Sequence, residues 1–292
     1  MILEQTAARQ TKLLSLLRRE FGLSSGLVKR LKWQNALFVN GVPAHTDAAV
    51  NPGDRVRVVL EERTEGFDPE PLPLSILYED ECFLAVDKPA GMLVHPSPQK
   101  NNGTLANGVL YHLLAHGEAS GVHPVTRLDR DTFGVVILAK NANIHDRFCR
   151  MLRERQLEKT YRAAVFGQPP QSEGQIYLPV YKVGGGSLIR VVDERGQQAL
   201  TQYRVLERAR KTALLELHPL TGRTHQLRLH CTASGFPILG DPQYTSPDAS
   251  AYSAAHGLLT QQLCAARLVF PHPMTGERME ILSNQEVFFP KD

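Results

Sequence analysis

The stretch TRLDRDTFG, residues 126–134, leads directly into VVILAKN, residues 135–141. Four charged side chains fall within five positions of the first stretch, and the second begins with four apolar residues. The charged residues are Arg127, Asp129, Arg130 and Asp131. An apolar run of this length predicts a buried strand, so the charged residues lie immediately before the start of that strand. Two interpretations are open: a surface loop of compensating ion pairs, or a site in which cations hold one carboxylate for chemistry.

The composition is that of a globular protein. With 292 residues, 42% of them hydrophobic and 22% charged, the chain is long enough for one large domain and one small one. The apolar runs are shorter than a bilayer-spanning helix, and residues 1–12 lack the basic, apolar and small-residue sections of a signal peptide. We therefore expect a cytoplasmic protein with no membrane segment.

The cysteine and histidine patterns predict no metal centre. The cysteines are far apart, with no C-x-x-C pair, and are expected to be reduced. They are Cys82, Cys149, Cys231 and Cys264. His225 and His230 lie in one predicted helix, but no third ligand of suitable type is spaced nearby, so we expect them to make structural hydrogen bonds. No G-x-G-x-x-G or P-loop sequence is present, so nothing favours a nucleotide cofactor.

Basic residues are concentrated at the front of the chain. Residues 1–60 contain nine Lys and Arg against four Asp and Glu, a net charge of +5, whereas residues 61–74 have a net charge of −4. An excess of this kind is typical of a phosphate-binding module, although a solvated basic face is the commoner cause. The acidic, proline-containing stretch 61–74 has no apolar periodicity and is predicted to be a linker.

The first 60 residues are predicted to form a helix-helix-hairpin module. Apolar residues recur at helical spacing in 13–21, Ser24 or Ser25 is placed to cap a second helix, and ALFVNG and DRVRVVL alternate as strands. Residues 28–58, with turns at Asn40-Gly41 and Gly53-Asp54, resemble the alpha-L RNA-binding motif. That resemblance implies that basic side chains on and after the second helix face RNA phosphates. They are Lys29, Arg30 and Lys32.

The remaining part of the chain, residues 75–292, has the pattern of an α+β catalytic domain. Residues 104–115 and 143–154 read as helices, and five segments read as strands that often follow one another directly. The strand segments are CFLAVDKP, FGVVILAKN, KTYRAAVFG, ALTQYRVLER and TALLELHPL. This order predicts a long mixed, largely antiparallel sheet with helices packed on it.

Asp129 is the carboxylate best placed for chemistry. It directly precedes the apolar strand, so it is predicted at the edge of a buried sheet, where burial raises the pKa of a carboxyl and a nearby arginine lowers it. An ionised, partly desolvated aspartate can act as a nucleophile or a base at a sugar or base carbon without a metal.

Four motifs in order resemble the RluA family of pseudouridine synthases, over about residues 76–285. They are DECFLAVDKPAGMLVHP, RLDRDTFG, LEKTYRAAVFG and PLTGRTHQLRLHCTASGFPILGDPQY. The resemblance implies an isomerase without a metal or cofactor, which breaks the N1–ribose bond of a uridine in RNA, turns the uracil and rejoins it through carbon 5. Two positions depart from the family pattern: Phe133 replaces a common serine and Cys264 a common histidine.

The resemblance also implies residue roles. Asp129 matches the catalytic aspartate, and Tyr161 matches a tyrosine that stacks on the target base and is placed to help remove the carbon 5 proton. Arg223 matches a basic residue expected to pair with Asp129, with Arg228 as the alternative. Arg127 is expected to fill the space left by the flipped uridine. Lys88, in an extended segment before a proline, is expected to line the RNA groove, against the simpler interpretation of an exposed lysine.

The predicted function is site-specific conversion of uridine to pseudouridine in structured RNA by a monomer. Ribosomal RNA is the first choice of substrate and tRNA the second. Two alternatives remain. One is a catalytically silent RNA-binding factor in ribosome assembly, which the presence of Asp129, Tyr161 and Arg223 disfavours. The other is a nucleosidase that releases uracil and leaves abasic sites.

Overall fold

The structure, a computed structural model, describes residues 2–60, 66–97, 100–118, 121–184 and 187–292. The helices in these parts of the chain are α1 Leu13–Arg19, α2 Ser25–Trp33, α3 Leu105–Ala115, α4 Ala142–Arg153, α5 Gln226–Ala233 and α6 Pro247–Ala255. The strands are β1 Ile2–Thr6, β2 Thr11–Lys12, β3 Leu37–Val39, β4 Val42–Pro43, β5 Ala49–Val50, β6 Arg55–Val59, β7 Ile76–Glu79, β8 Phe83–Lys88, β9 His123–Pro124, β10 Phe133–Ala139, β11 Glu158–Phe166, β12 Glu173–Tyr177, β13 Val180–Lys182, β14 Arg190–Val192, β15 Leu200–Arg208, β16 Thr212–Pro219, β17 Leu263–Pro271 and β18 Arg278–Leu282.

The first 60 residues form a small unit with its own core. Helices α1 and α2 and an antiparallel sheet of order β1-β6-β3-β4 bury one cluster of aliphatic side chains. The hydroxyl of Ser24 accepts a hydrogen bond from the Leu27 backbone N–H at 3.1 Å and caps α2, as the sequence predicted. Strand β1 was not predicted; it pairs antiparallel with β6 along its whole length.

The described part of the predicted linker is packed against the large domain. Residues 61–65 lie outside the described residues, while 66–74 contain no helix or strand. This second part is fixed to α3 and to the turn before it. Asn107 Nδ2 donates to the carbonyl of Asp68 at 2.7 Å, and the carboxylate of Glu70 accepts from the Gly103 N–H at 3.0 Å. The chain is therefore attached to the large sheet some residues before its first strand.

Helix α4 contacts the N-terminal unit directly. Arg147 Nη2 donates to the Phe21 carbonyl at 3.4 Å, Arg150 Nη2 donates to the Gly22 carbonyl at 3.1 Å, and Ser24 Oγ donates to the Asp146 carboxylate. Because these bonds hold the turn between α1 and α2, they connect the basic helix α2 to the large domain.

The large domain is built on a ten-stranded sheet. Its main path runs β12-β15-β16-β11-β17-β10-β8-β7, with β18 beside β17 and β9 beside β10. Every pairing in it is antiparallel except that of β10 with β17, so the α+β fold with a mixed, largely antiparallel sheet is confirmed. Helix α3 covers one face of β8 and β10 and α4 covers the other, which explains why these strands are continuously apolar.

The parallel contact between β10 and β17 is short and close. It pairs Phe133 with Cys264 and Gly134 with Ala265. Gly134 has φ +106°, and a Cβ built on it would lie 2.4 Å from the carbonyl oxygen of Ala265. Glycine is therefore required where the two strands meet. Asp129 lies just before β10 in the chain and Tyr161 pairs with Ala265 on the other side of β17, so this junction organises the predicted site.

In the parts of the chain that the structure describes, no helix is both long enough and apolar enough to cross a membrane.

Candidate active site at the centre of the sheet

The four charges of the opening stretch have different partners. Arg130 forms a two-bond ion pair with its neighbour Asp131, at 3.0 and 2.9 Å. Asp129 instead accepts a hydrogen bond at 3.0 Å from Nη1 of Arg228, which lies 99 residues away. Its side chain is 26% exposed, so the carboxylate is partly desolvated yet open to a ligand. Arg127 is exposed and has no hydrogen-bond or ion-pair partner among the described residues.

Arg228 is buried and rigidly held on α5. Its Nε and Nη2 donate to the two carboxylate oxygens of Asp241 at 2.7 and 2.9 Å, and its guanidinium lies 4.9 Å from the ring centroid of Tyr244. Burial disfavours the charged form, but the hydrogen bonds and negative charge of Asp241, together with Asp129, outweigh it and raise the pKa of Arg228. Arg228 therefore stays charged and presents one free edge to Asp129.

Tyr161 projects from β11 at an irregularity in the strand. The register of β11 against β17 shifts between Thr160 and Tyr161. Burial, the charge of Asp129 and the Cys264 thiol raise the pKa of Tyr161 well above its ordinary value of 10. The phenol is therefore neutral near pH 7.

Comparison with known proteins identifies the family. The model of the RNA pseudouridylate synthase family matches residues 82–233, just over half of the chain. An RNA pseudouridine synthase of Aquifex aeolicus is 36% identical over 265 residues, which cover 88% of this chain and 84% of that protein. The chain belongs to the RNA pseudouridine synthase family. Ribosomal large subunit pseudouridine synthase D of Pasteurella multocida is 34% identical over 256 residues, covering 85% of this synthase and 79% of its own length.

Solved structures support the same conclusion. The human protein RNA Pseudouridylate Synthase Domain Containing 1 superimposes with a TM-score of 0.61 and 26% identity, covering 75% of this synthase and 86% of that chain. The resemblance to pseudouridine synthases predicted from four sequence motifs is thus confirmed, and the protein is an RNA-modifying isomerase.

The first predicted partner of Asp129, Arg223, was wrong. Arg223 is exposed, and its Nε donates at 3.4 Å to the carbonyl of Gln198 rather than to Asp129. Helix α5 begins only at Gln226, whose side-chain oxygen accepts from the Arg223 backbone N–H at 3.0 Å. Arg223 therefore lies before the helix, while Arg228, the alternative, is on the buried helix face toward Asp129.

Lys88 does not line an RNA groove, and this prediction is wrong. The residue is fully buried, and its ammonium group donates to the carbonyl oxygens of Pro89, Met92 and Arg130 at 2.8, 2.7 and 2.9 Å. Burial lowers the pKa of Lys88 to about 8, against the opposing charges of Asp131 and Asp129. Lys88 thus fixes the backbone of the loop that contains Asp129.

The basic residues of the first module are exposed on one helix. Lys29 and Arg30 lie on α2, and Lys32 lies in its last turn. Trp33, the protein's one tryptophan, ends this helix with 77% of its surface exposed, and it was not among the predicted site residues. An aromatic residue beside three lysine and arginine residues is a pattern typical of nucleic-acid binding, and it could have been read from the sequence.

The two departures from the family pattern are neighbours in space. Phe133 and Cys264 are paired across the β10–β17 contact, and both are buried.

Sequence reasoning missed Asp241 as a site residue, although it lies in the quoted motif. Its Oδ1 also accepts the backbone N–H groups of Gln243 and Tyr244, both at 2.9 Å, which orients the carboxylate toward Arg228. His230, by contrast, behaves as predicted: its ring is buried and bonded to Thr201 Oγ1 and the Leu178 carbonyl.

A group of potential metal ligands lies elsewhere in the described residues, at Asp80, Cys82 and His272. His272 Nδ1 accepts the backbone N–H groups of Met274 and Thr275 at 3.3 and 3.1 Å, so the ring proton is on Nε2, which donates to Asp80 at 2.7 Å. A metal would have to displace that proton. Burial and the charge of Asp80 raise the pKa of Cys82 to about 11, which disfavours the thiolate. This chemistry fits a structural hydrogen-bond network.

Proposed function

We propose that this synthase converts uridine to pseudouridine at a defined position in large-subunit ribosomal RNA. The observation that supports the chemistry is the partly exposed Asp129 carboxylate held at 3.0 Å by a permanently charged Arg228. The substrate is proposed from the relatives that are ribosomal large subunit pseudouridine synthases, which favours ribosomal RNA over tRNA.

In the proposed reaction the N1–C1′ bond breaks and the electron pair stays on the uracil. The ring turns, a C5–C1′ bond forms, the carbon 5 proton is lost and N1 gains a proton. Asp129 acts at the ribose or the base as the ionised nucleophile or base. Tyr161 packs against the detached ring and keeps it aimed. The family resemblance also implies that Tyr161 helps to remove the carbon 5 proton.

Substrate binding is assigned to two separate regions. The unpaired guanidinium of Arg127 takes the space of the flipped uridine, because a planar cation can both stack and donate hydrogen bonds. Lys29, Arg30 and Lys32 contact phosphates from the module of residues 1–60, which 61–74 connect to the catalytic domain 75–292. We propose that the enzyme acts in the cytoplasm as a monomer, without a metal or cofactor.

The test is to delete the gene and map pseudouridines across rRNA and tRNA, then restore either the wild type or Asp129→Asn. We expect one or a few large-subunit rRNA positions to lose pseudouridine and only the wild type to restore them, because the near-isosteric amide keeps the fold but removes the nucleophile or base. A loss of pseudouridine confined to tRNA would contradict the proposal that ribosomal RNA is the substrate. Restoration by Asp129→Asn would favour a catalytically silent factor, and abasic sites left by the wild type would identify a nucleosidase.

A further inference from the structure

The ring of His225 lies directly beside the catalytic carboxylate, in a strained backbone position. The residue precedes α5 with φ 58° and ψ 17°, a left-handed conformation that costs a non-glycine residue about 1 kcal/mol or more. Its side chain does not cap the helix. Instead, the ring contacts Tyr244 through Nδ1 at 2.8 Å and faces Asp129 Oδ2 with Nε2 at 3.8 Å.

The hydrogen bonds around His225 determine which ring nitrogen holds the proton. The Tyr244 hydroxyl accepts the Arg190 backbone N–H at 2.7 Å, so its own proton is available for His225 Nδ1. Nδ1 is then an acceptor, and the proton lies on Nε2, toward the carboxylate of Asp129. Both neighbours favour the same tautomer.

The ring is also neutral. Burial lowers the pKa of His225, and the positive charges of Arg228 and Arg190 lower it further, against the opposing influence of Asp129 and Asp241. Nε2–H is thus a single, uncharged donor of fixed direction.

That donor has no acceptor within hydrogen-bond distance among the residues the structure describes. The 3.8 Å separation from Asp129 Oδ2 is too long for a hydrogen bond. Because the target nucleoside must reach Asp129, an oxygen of that nucleoside is the acceptor that the open donor can meet.

Building on the function proposed above, we propose that His225 is a further catalytic residue, whose Nε2–H donates a hydrogen bond to a carbonyl oxygen of the departing uracil. When the N1–C1′ bond breaks, the electron pair spreads over the uracil N1 and its carbonyl oxygens. A fixed donor stabilises that charge more than it stabilises the neutral base. No proton is transferred from His225, so the residue ends the step unchanged.

The test uses two amide variants that differ in reach. In His225→Gln the side-chain amide nitrogen comes close to the position of Nε2, whereas in His225→Asn it comes close to that of Nδ1. Asparagine tolerates the left-handed backbone better than glutamine, so a purely conformational role predicts that His225→Asn is the more active variant. If the ring served only to hold Tyr244 through Nδ1, His225→Asn would again be the more active variant.

We expect single-turnover pseudouridine formation to fall by about 100-fold in His225→Asn but by no more than about 10-fold in His225→Gln, with RNA affinity unchanged in both. Tyr244→Phe keeps the aromatic ring against Arg228 but removes the hydroxyl that holds the His225 proton on Nε2. It should lower the rate by about 10-fold, as expected for losing one hydrogen bond that orients a catalytic side chain. The RNA is any that the wild type modifies. Equal rates in the two amide variants, or a faster Asn variant, would overturn this role while the proposed function stands. A wild type inactive on rRNA and tRNA would overturn both.

Discussion

At the scale of single residues, the fold gives three tasks to the four charges between Arg127 and Asp131. Arg130 and Asp131 neutralise each other, Asp129 is bonded to Arg228, and Arg127 stays unpaired among the described residues. The ion-pair interpretation therefore holds for Arg130 and Asp131, whereas Asp129 is held by a distant arginine, as the catalytic interpretation requires. The exposure of these residues does not distinguish the ion-paired residues from Asp129, whereas the direction of each side chain does.

The unpaired state of Arg127 leads to a prediction about RNA structure. Arg127→Ala should lower the rate by about 100-fold on a folded stem-loop, where extruding the uridine costs a few kcal/mol, and by less than 10-fold on a short unstructured RNA with the same uridine. Single-turnover assays on the two RNAs measure this ratio. Arg130→Ala, which removes an exposed arginine paired with Asp131, is the matched control and should show no such ratio. Equal losses on both RNAs for Arg127→Ala would remove the flipping role.

Lys88 makes stability depend on pH in the alkaline range. Its pKa is about 8 in the folded protein and 10.5 ordinarily, so between these values the unfolded chain binds the extra proton. The contribution of Lys88 to stability should therefore rise with pH from about 8 to 10.5, by about 3 kcal/mol. Cys82 and Tyr161, whose pKa values are raised by burial, act in the opposite direction above about pH 9. The Lys88 contribution is therefore the difference between wild type and Lys88→Met in denaturant unfolding at several pH values, and this difference should grow with pH. A direct NMR titration of the Lys88 side chain gives the check if the variant does not fold; a midpoint near 10.5 would contradict the prediction.

At the scale of elements, the contact of β10 with β17 is what brings the site together. These are the only parallel neighbours in the described part of the large sheet, and they meet over two residue pairs. Asp129 enters from the loop before β10, and Tyr161 comes from the strand on the far side of β17. A change in this spacing moves the two residues relative to each other.

Gly134→Ala tests this contact. The left-handed φ alone should lower the free energy of unfolding by about 1 kcal/mol. The added methyl against the Ala265 carbonyl should lower it by about a further 1–3 kcal/mol. The fraction of activity lost should exceed the fraction of folded protein lost. Gly117→Ala is the matched control, because Gly117 also has a positive φ, +73°, but nothing lies within 4 Å of its added Cβ. Chemical denaturation and single-turnover rates measure both effects. A Gly134 variant as stable and active as the Gly117 variant would show that the junction tolerates expansion.

At the scale of the whole molecule, a basic module is bonded to a catalytic domain whose site lies in the middle of its sheet. Arg147 and Arg150 on α4 bind the carbonyls of the turn that precedes α2. The exposed lysine and arginine side chains of α2 are thus connected to the domain that contains Asp129, so the RNA contacts proposed for the two places would reinforce each other.

Replacing Lys29, Arg30 and Lys32 together by glutamine should weaken RNA binding and flatten its salt dependence. Each lost phosphate contact lowers the slope of log affinity against log salt by about 0.7–0.9, so a reduction of about 2–3 is expected. Binding isotherms at several salt concentrations measure the slope. The control replaces Arg204, Arg278 and Lys291, which are exposed but ion-paired with glutamates, and changes the net charge equally. Equal slopes for both triple variants would mean that only net charge matters.

Local sequence determined the elements whose signals are strong over a short range. The apolar runs of β8 and β10 and the helices α3 and α4 were predicted within one or two residues, because both faces of these strands and one stripe of each helix must be buried. Motif order along the chain also determined the family, and the roles predicted for Asp129 and Tyr161 come from the same motifs. These conclusions need no knowledge of which segments meet.

The tertiary structure alone decided the partners. Asp129 meets Arg228 rather than Arg223 because α5 starts three residues later than Arg223, and the contact spans 99 residues of chain. Lys88 is buried because a loop 42 residues away supplies the third carbonyl for its ammonium group. Strand β1 exists only through its pairing with β6. Each outcome depends on a contact between distant segments, whose energy is absent from any local window of the sequence.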